Sequence, residues 1–264
     1  MSNYIYEEKI KITYYDLDCF GNLRLSSLLR LIAVASDNHA TDLGFGYDYL
    51  SSLNVVFILL KVSVKIHKMP QYHQPVIVKT WPKGATGAAF LRNGEILDLD
   101  GTVMIEFASL WTLIDTIKRK IVRPSACPFV PPVADMEDKE PPKKIAFPNE
   151  PEHETPDYSH TVRYRDMDQN MHMNNTIYAD LIMNTLPFDA IQGAQIQELQ
   201  INYNNEAALH EKVTVQCHQD NGIYTLKGTI QNTEPPRTCF TASVKTAPTK
   251  TTPAKIEPAN MEDS

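Results

Sequence analysis

The sequence has no long hydrophobic run. Its longest uninterrupted apolar stretch is residues 55–60, whereas a helix that spans a membrane needs roughly 18 apolar residues or more. The N-terminal residues contain neither a basic segment followed by an apolar one nor an Arg- and Ser-rich presequence. We therefore expect no transmembrane helix and no signal or transit peptide, which predicts a cytoplasmic protein without a membrane partner.

Cysteine and basic residues are both scarce. The four cysteines form no C-x-x-C pair, which argues against a zinc knuckle and against a disulfide framework. Lys and Arg number 25 against 32 Asp and Glu, so the net charge is −7. A nucleic-acid partner is not expected, because non-specific binding to nucleic acid needs clustered cations that displace counterions.

Hydrophobic residues make up 42% of the 264 residues. A chain of this size can remove roughly 75% of its unfolded surface from water, so we expect one large or two small globular domains. Nine of the 18 prolines lie in residues 124–156, which are therefore predicted to be an extended linker. The linker separates a unit at residues 1–123 from one at residues 157–245, and residues 246–264 are predicted to be a disordered tail.

The two flanks of the linker resemble each other. Residues 12–18 (ITYYDLD) return 150 positions later as VRYRDMD, and residues 73–78 (HQPVIV) return 137 positions later as HEKVTV. Both matches keep their order, which indicates two copies of one folding unit. The offset falls from 150 to 137, so the second copy is 13 residues shorter between the matches, as expected if a helix and a loop are trimmed.

Each copy has the same pattern of predicted secondary structure. Apolar residues recur at helical spacing after the Asp-x-Asp turn, namely Leu25, Leu28, Leu29 and Ile32 in the first copy and Tyr178, Leu181 and Ile182 in the second. Strand patterns follow at residues 62–66, 76–81 and 105–114, and again at 199–203, 213–217, 223–230 and 239–244. The order predicts an α+β fold in which a curved antiparallel sheet wraps one helix, twice over.

The turn before the second predicted helix is unusually polar. Six of the ten residues 166–175 are Asp, Asn or His. Such residues also form turns and cap helices, and that purely structural explanation stands as an alternative. The first copy has Phe20 and Asn22 where the second has Asn170 and His172. Because the first copy keeps the turn without this pair, capping alone does not require His172.

A second difference between the copies involves Glu206. This residue lies at the end of a predicted strand, and its first-copy counterpart is Met69. A lone Glu at a strand end is usually just solvated. However, three replacements in the first copy, at Phe20, Asn22 and Met69, all remove polarity. This is the pattern expected of a duplicated fold with one active half.

These residues resemble the acyl-acyl carrier protein (ACP) thioesterases of bacteria and plant plastids, over nearly the whole ordered chain. Residues 166–175 are similar to the family signature D-x-D-x-N-x-H-x-N-N, and residues 203–206 to its Y-x-x-E element. Residues 80–82 (TWP) and 113–115 (LID) look like further landmarks of the first copy. The resemblance implies a tandem double hotdog fold and hydrolysis of fatty acyl-ACP, which releases a free fatty acid and ends chain elongation.

The resemblance also implies catalytic roles for Asp168, Asn170, His172 and Glu206. Glu206 would be the general base with His172 as its partner, although the reverse order is open. Asn170 would bind the thioester carbonyl or the water, and Asp168 would hold Asn170 or His172. No cofactor and no metal are expected.

One departure from the family concerns the mechanism. Plant members have a Cys after the catalytic Glu, whereas here the residue is Ala207. A cysteine nucleophile is therefore not expected at this place. The absence of a plastid presequence points to the bacterial branch.

The expected partner is an acyl carrier protein that bears a fatty acyl chain. Because the carrier is acidic, docking needs a local basic surface, and the densest cluster is Lys118, Arg119, Lys120 and Arg123, although a solvated strand end also explains it. The acyl chain would lie in the first copy, with Leu28, Leu29 and Ile32 as lining candidates or as simple core. The preferred chain length cannot be predicted, and the oligomeric state is open, a homodimer included.

Three other interpretations compete with hydrolysis: two other functions and a metal site. One is a hotdog hydratase or dehydratase acting on enoyl thioesters, which also uses an Asp or Asn with a His. Another is a module that binds an acyl thioester without turnover. A metal site formed by Asp168, His172 and Glu206 is disfavoured, because it would contain a single imidazole.

Overall fold

Both halves of the chain contain one strand, then two helices, then a run of further strands. The computed structural model describes residues 4–130, 132–148, 158–192 and 194–248. The first half contains β1 (Tyr6–Lys11), α1 (Leu25–Asp42), α2 (Tyr47–Ser52), β2 (Val55–Ile66), β3 (Pro75–Thr86), β4 (Ala89–Leu97), β5 (Val103–Asp115) and β6 (Lys120–Val122). The second half contains β7 (Tyr158–Thr161), α3 (Ile177–Thr185), α4 (Phe188–Gln192), β8 (Ala194–Tyr203), β9 (Lys212–Asp220), β10 (Ile223–Ile230) and β11 (Arg237–Pro248).

All these strands form one antiparallel sheet. Its order is β1-β3-β4-β5-β2-β8-β11-β10-β9-β7, with the short β6 paired to β5. The first-copy order β1-β3-β4-β5-β2 is repeated by β7-β9-β10-β11-β8, and the copies meet where β2 pairs with β8. The predicted α+β arrangement of two helix-and-sheet units is confirmed.

The register of the central pair shows how the copies are related. Ser63 of β2 pairs with Gln200 of β8, and these two residues are separated by the repeat offset of 137. Val62 pairs with Ile201 and Val64 with Leu199, symmetrically about that pair. An approximate twofold axis therefore passes between Ser63 and Gln200, and α1 and α3 run in opposite directions.

The two main helices differ in length, as the change in offset predicts. Helix α1 has 18 residues and α3 has nine. Leu28, Ile32 and the other apolar residues of the predicted α1 face are buried against the sheet, and so are Leu181 and Ile182 of α3. Burial of such a face, rather than intrinsic helix propensity, provides most of the stability of a helix in a protein.

Strand β4 is missing from the sequence prediction. It contains the dipeptide Asn93-Gly94, which usually marks a hairpin turn. Here Gly94 lies opposite Phe107 of β5, and a Cβ atom at this position would overlap the phenyl ring. Gly228 and Phe240 form the equivalent cross-strand pair in the second copy. Glycine is therefore needed for close packing in both copies, not for a turn.

The proline-rich segment crosses the outer face of the first-copy sheet. Lys83 Nζ contacts Asp138 at 2.7 Å, and Lys139 Nζ lies 2.7 Å from both Glu95 and Glu106. These contacts tie the described residues 132–148 to the sheet in an extended path. The predicted domain limits stay predictions.

The predicted tail starts too early. Strand β11 continues to Pro248, because Thr246, Ala247 and Pro248 pair with the start of β8. The rest of the predicted tail, residues 249–264, lies outside the described residues.

Candidate active site

The polar turn of the second copy is held by Asp168. Its Oδ1 accepts hydrogen bonds from the backbone N–H groups of Asn170 (2.8 Å) and His172 (3.3 Å). Met171, at the tip, has a φ of 63°, a conformation that costs free energy in a residue with a side chain. The carboxylate of Asp168 thus fixes the backbone that presents Asn170 and His172.

The first copy has the same turn with different side chains. Asp18 Oδ1 accepts hydrogen bonds from the N–H groups of Phe20 and Asn22, both at 2.9 Å. Gly21, which corresponds to Met171, has a φ of 79°. The turn has the same backbone conformation in both copies. Turn formation therefore does not explain why the second copy has the side chains of Asn170 and His172.

The structure brings Glu206 to this turn. Met173 N–H donates to the carbonyl of Ala207 at 2.8 Å, and His172 forms an antiparallel bridge with Ala208. These contacts place His172 Nε2 at 3.2 Å from Glu206 Oε2. The side chains are 31% and 45% exposed, so water can reach the pair. Asn170 is exposed at the tip of the same turn.

Support for the site comes from residues that sequence reasoning missed. Asn174 Oδ1 accepts hydrogen bonds from the backbone N–H and the hydroxyl of Thr176, at 3.0 and 2.8 Å, just before α3. Tyr203 donates its hydroxyl to the carbonyl of Asn175 at 3.0 Å, and burial raises the pKa of Tyr203 well above its usual value. Tyr203 therefore stays protonated and links β8 to the turn. The Y-x-x-E element contained this signal, but only its Glu was interpreted.

An apolar cavity lies in the first copy. It has a volume of about 170 Å³ between the second half of α1, the start of β2 and strand β4. The lining candidates Leu28, Leu29 and Ile32 are not among its wall residues and belong to the hydrophobic core. They lie on the face of α1 that packs on the sheet, whereas Ala33 and Asp37 of α1 line the cavity.

The sheet register places this cavity at the same edge as Glu206. Asn202 of β8 pairs with Lys61 of β2, and the strands are antiparallel. Glu206 follows Asn202 along the chain, and the cavity residues Val56 and Phe57 precede Lys61. Both segments therefore extend from the central pair toward the same edge of the sheet.

The packing of α1 against α3 leads to the same position for the cavity. Ser26 of α1 donates a hydrogen bond to Asp180 of α3 at 2.6 Å. Because the helices are antiparallel, α1 continues from Ser26 past the start of α3 toward the turn at residues 168–172. The exposed cavity residues Ala33 and Asp37 lie on the same face of α1 as Ser26. The cavity and the His172–Glu206 pair therefore lie toward the same end of the sheet.

Comparison with known proteins agrees with this geometry. A model of the acyl-ACP thioesterase N-terminal domain matches residues 3–125, and one of the C-terminal domain matches residues 149–246. The chain belongs to the acyl-ACP thioesterase family. Chloroplastic oleoyl-ACP thioesterase 1 of Arabidopsis thaliana is 22% identical over 85% of this chain and 64% of the plant protein. The chain thus spans slightly less than two thirds of that relative.

Solved structures of the family share the fold. An acyl-ACP thioesterase from Bacteroides thetaiotaomicron has a TM-score of 0.77 at 20% identity and covers 92% of this chain and 98% of its own. The 12:0-ACP thioesterase from Umbellularia californica has a TM-score of 0.79 at 18% identity, with 93% and 94% covered. The predicted double hotdog fold is confirmed. The plant and bacterial relatives have similarly low sequence identity to this chain, so its membership of the bacterial branch stays a prediction.

None of the cysteines of this family member is next to Glu206 in the sequence, although the carbonyl of Cys239 accepts hydrogen bonds from the N–H groups of Asn204 and Asn205. Ala207, next to Glu206, is fully buried. Cys217 and Cys239 are buried on β9 and β11, and burial raises the pKa of Cys239 to about 12. Cys19 belongs to the first-copy turn, and Cys127 follows β6. A buried thiol with a raised pKa is a poor nucleophile.

Two further properties bear on the candidate site. Within residues 4–130, 132–148, 158–192 and 194–248, no group of three or more His, Cys, Asp or Glu side chains could hold a metal ion. No helix in these ranges is long and apolar enough to cross a membrane.

Proposed function

We propose that the chain hydrolyses the thioester of fatty acyl-ACP to a free fatty acid and the carrier thiol. The observation that supports this most is the His172–Glu206 pair at 3.2 Å, which the first copy lacks. The pair is accessible to water and lies toward the same end of the sheet as the apolar cavity. A water-activating pair and an apolar cavity at one end of the sheet fit hydrolysis of an apolar thioester.

In the proposed mechanism, Glu206 is the general base. His172 Nε2, which lies 3.2 Å from one carboxylate oxygen of Glu206, orients that carboxylate, and the other oxygen takes a proton from water. The water oxygen then attacks the thioester carbonyl carbon, the C–S bond breaks, and the sulfur leaves as a thiol with the transferred proton. A base positioned in this way contributes about 10²- to 10⁴-fold to the rate. With the roles exchanged, His172 would take the proton and Glu206 would orient it.

The negative charge that develops on the carbonyl oxygen needs donors. The exposed amide of Asn170 can provide one, and the start of α3 directs its positive dipole end toward this turn. Asp168 contributes by holding the turn through backbone N–H groups. Its role is therefore positioning, in agreement with the role that the family resemblance implies.

A direct test is incubation of the purified chain with fatty acyl-ACP. We expect free fatty acid and carrier thiol to appear in equal amounts, and the Glu206→Gln variant to release neither above background. A hydratase would instead convert an enoyl thioester to a hydroxyacyl thioester with the C–S bond intact. Binding without release of either product would indicate a non-catalytic module and would contradict hydrolysis.

Alkylation of thiols tests the water-attack mechanism. Because Ala207 provides no nucleophile and Cys239 is buried with a raised pKa, iodoacetamide should leave hydrolysis of acyl thioesters largely intact under native conditions. The extent of modification is followed by mass spectrometry, and Cys19→Ser and Cys127→Ser variants remove the two more accessible thiols. Inactivation that parallels modification of Cys217 or Cys239 would refute water attack.

The carrier is proposed to dock on the basic hairpin between β5 and β6, defined by Lys118, Arg119, Lys120 and Arg123. All four residues are exposed, although Lys118 is paired with Asp115 at 3.2 Å. Asp115 pairs with Val55 at the start of β2, the end of that strand that lies toward Glu206. The hairpin is therefore at the edge of the sheet where an acyl chain would enter.

Reversal of two charges on this hairpin tests the docking surface. Lys120→Glu with Arg123→Glu should raise the KM for acyl-ACP and leave hydrolysis of small acyl thioesters unchanged. Added salt should raise the KM for acyl-ACP more in the parent than in the variant, because exposed charges are screened over about 10 Å at 0.1 M. Lys9→Glu with Lys11→Glu on the outer strand β1 makes the same change in net charge. If this control raises the KM equally, the hairpin is not the docking surface.

A further inference from the structure

A buried arginine forms part of the wall of the apolar cavity in the first copy. Arg92 of β4 is only 8% exposed and lines the cavity together with α1 and β2. Its Nη1 donates hydrogen bonds to His39 Nδ1 of α1 at 3.1 Å and to Thr80 Oγ1 of β3 at 3.3 Å. The guanidinium has five N–H donors, so most of its donor capacity is not used by these two contacts.

Both partners of Arg92 are uncharged at neutral pH. Burial, together with the charge of Arg92, lowers the pKa of His39 to about 4, and the Thr80 hydroxyl is neutral. Burial lowers the pKa of Arg92 to about 10, so the guanidinium keeps its charge at pH 7. In the part of the chain that the structure describes, no carboxylate pairs with Arg92, although buried charges are normally paired.

The polar cluster has more donors than acceptors. Because His39 Nδ1 accepts from Arg92, the ring hydrogen of neutral His39 is on Nε2, and within the described residues this buried nitrogen has no hydrogen-bond partner. Burying a donor without an acceptor is unfavourable. An oxygen atom of a molecule bound in the cavity could accept further hydrogen bonds from the guanidinium of Arg92.

The rest of the cavity wall is mostly apolar, with the aromatic residues Phe45, Phe57, Phe90, Trp111 and Phe129, and it includes the exposed carboxylate of Asp37. This wall suits methylene groups, but a hydrocarbon end against Arg92 would remove water from the charge and replace no hydrogen bond. The volume of about 170 Å³ is close to that of an engineered cavity of about 150 Å³ that binds benzene. The cavity therefore holds a chain segment of roughly six carbon atoms.

On the basis of the proposed hydrolytic function, we propose that this cavity selects acyl chains that carry an oxygen group, a hydroxyl or a carboxylate, on the segment that enters it. Arg92 would donate hydrogen bonds to that oxygen and is thus a specificity-determining residue. The aromatic wall would bind the methylene groups between this oxygen and the thioester.

Substrate competition tests this selectivity. Acyl chains of six to twelve carbons, each ending in a methyl, a hydroxyl or a carboxylate group, are loaded on one acyl carrier protein, and kcat/KM is measured for each. At the best chain length, we expect the parent to prefer one of the oxygenated chains about tenfold or more, the usual effect of a hydrogen bond to a charged group. The hydroxyl and carboxylate series show which oxygen group is preferred. A parent that prefers the methyl chain at every length would overturn the proposal.

Two variants assign the selectivity to Arg92. Arg92→Met should shift the preference to the methyl-ended chain, whereas Lys139→Met should keep the parent ratio. Lys139 is a matched control because it is another shielded cation, bound to Glu95 and Glu106 beneath the linker on the outer face of the same sheet. A ratio of substrates is insensitive to a general loss of folded protein. An unchanged ratio in folded Arg92→Met would refute the role of Arg92.

A binding measurement separates this proposal from the proposed hydrolysis. In Glu206→Gln, N-acetylcysteamine thioesters of the oxygenated chains should raise the melting temperature more than those of methyl-ended chains. This readout needs no turnover. If no thioester is cleaved by the parent but the difference in melting temperature is present, the hydrolytic function fails and the cavity selectivity stands. Equal shifts for both chain types would overturn the selectivity.

Discussion

His172→Ala and Glu206→Gln should each reduce the kcat for thioester hydrolysis by about 100-fold or more. The two side chains are 3.2 Å apart at a site that water can reach, and a positioned base contributes about 10²- to 10⁴-fold to a rate. Because the residues act as one unit, the double variant should be little worse than either single variant. The measurement is the initial rate of fatty acid release at saturating substrate.

The first copy provides matched controls for this prediction. Asn22 and Met69 occupy the positions of His172 and Glu206 in the first copy, so Asn22→Ala and Met69→Ala should keep kcat close to the parent value. Met69 packs against the core, so the assay temperature is kept below the melting temperature of this variant. Equal losses of activity in both copies would contradict the assignment of catalysis to the second copy alone.

The double-copy fold could be predicted because its signals are local. Helical spacing at Leu28 and Ile32, strand alternation, and two matched segments at different offsets are readable without knowledge of contacts. The polar turn could also be predicted, since the repeat provides an internal comparison in which Phe20 and Asn22 replace Asn170 and His172. The comparison of the copies identified Asn170, His172 and Glu206 as candidates, and the family resemblance then implied their catalytic roles and that of Asp168.

Features that depend on contacts between strands could not be predicted. The Asn93-Gly94 dipeptide looks like a turn until Phe107 is known to lie opposite Gly94. A charged residue such as Arg92 in a strand normally indicates a solvent-facing position, and only the packing of β4 beneath α1 shows that it is buried. Leu28, Leu29 and Ile32 belong to the core, one of the two alternatives, because helical spacing identifies the core face and says nothing about the neighbouring face that lines the cavity.

Asp168→Ala should lower kcat/KM by about 10- to 100-fold, because a small displacement of groups near the reacting atoms can cost about 100-fold. The change removes the acceptor of two backbone hydrogen bonds, to Asn170 and His172, so the turn no longer holds these side chains toward Glu206. Asp168→Asn keeps an acceptor oxygen in the same place and should retain most of the activity. Rates are measured together with the free energy of unfolding in urea.

Asp18→Ala makes the same change in the turn that lacks His172. Asp18 holds two N–H groups at 2.9 Å, so each alanine variant should lose a similar free energy of unfolding, about 0.5–1.5 kcal/mol, the net contribution of a hydrogen bond whose donor water can reach. Activity should fall only in Asp168→Ala, because the first-copy turn positions no catalytic side chain. Equal loss of activity in both variants would show that the effect is general destabilisation. A stable but inactive Asp168→Asn would show instead that the charge of Asp168 takes part in the chemistry, because the turn would then be intact.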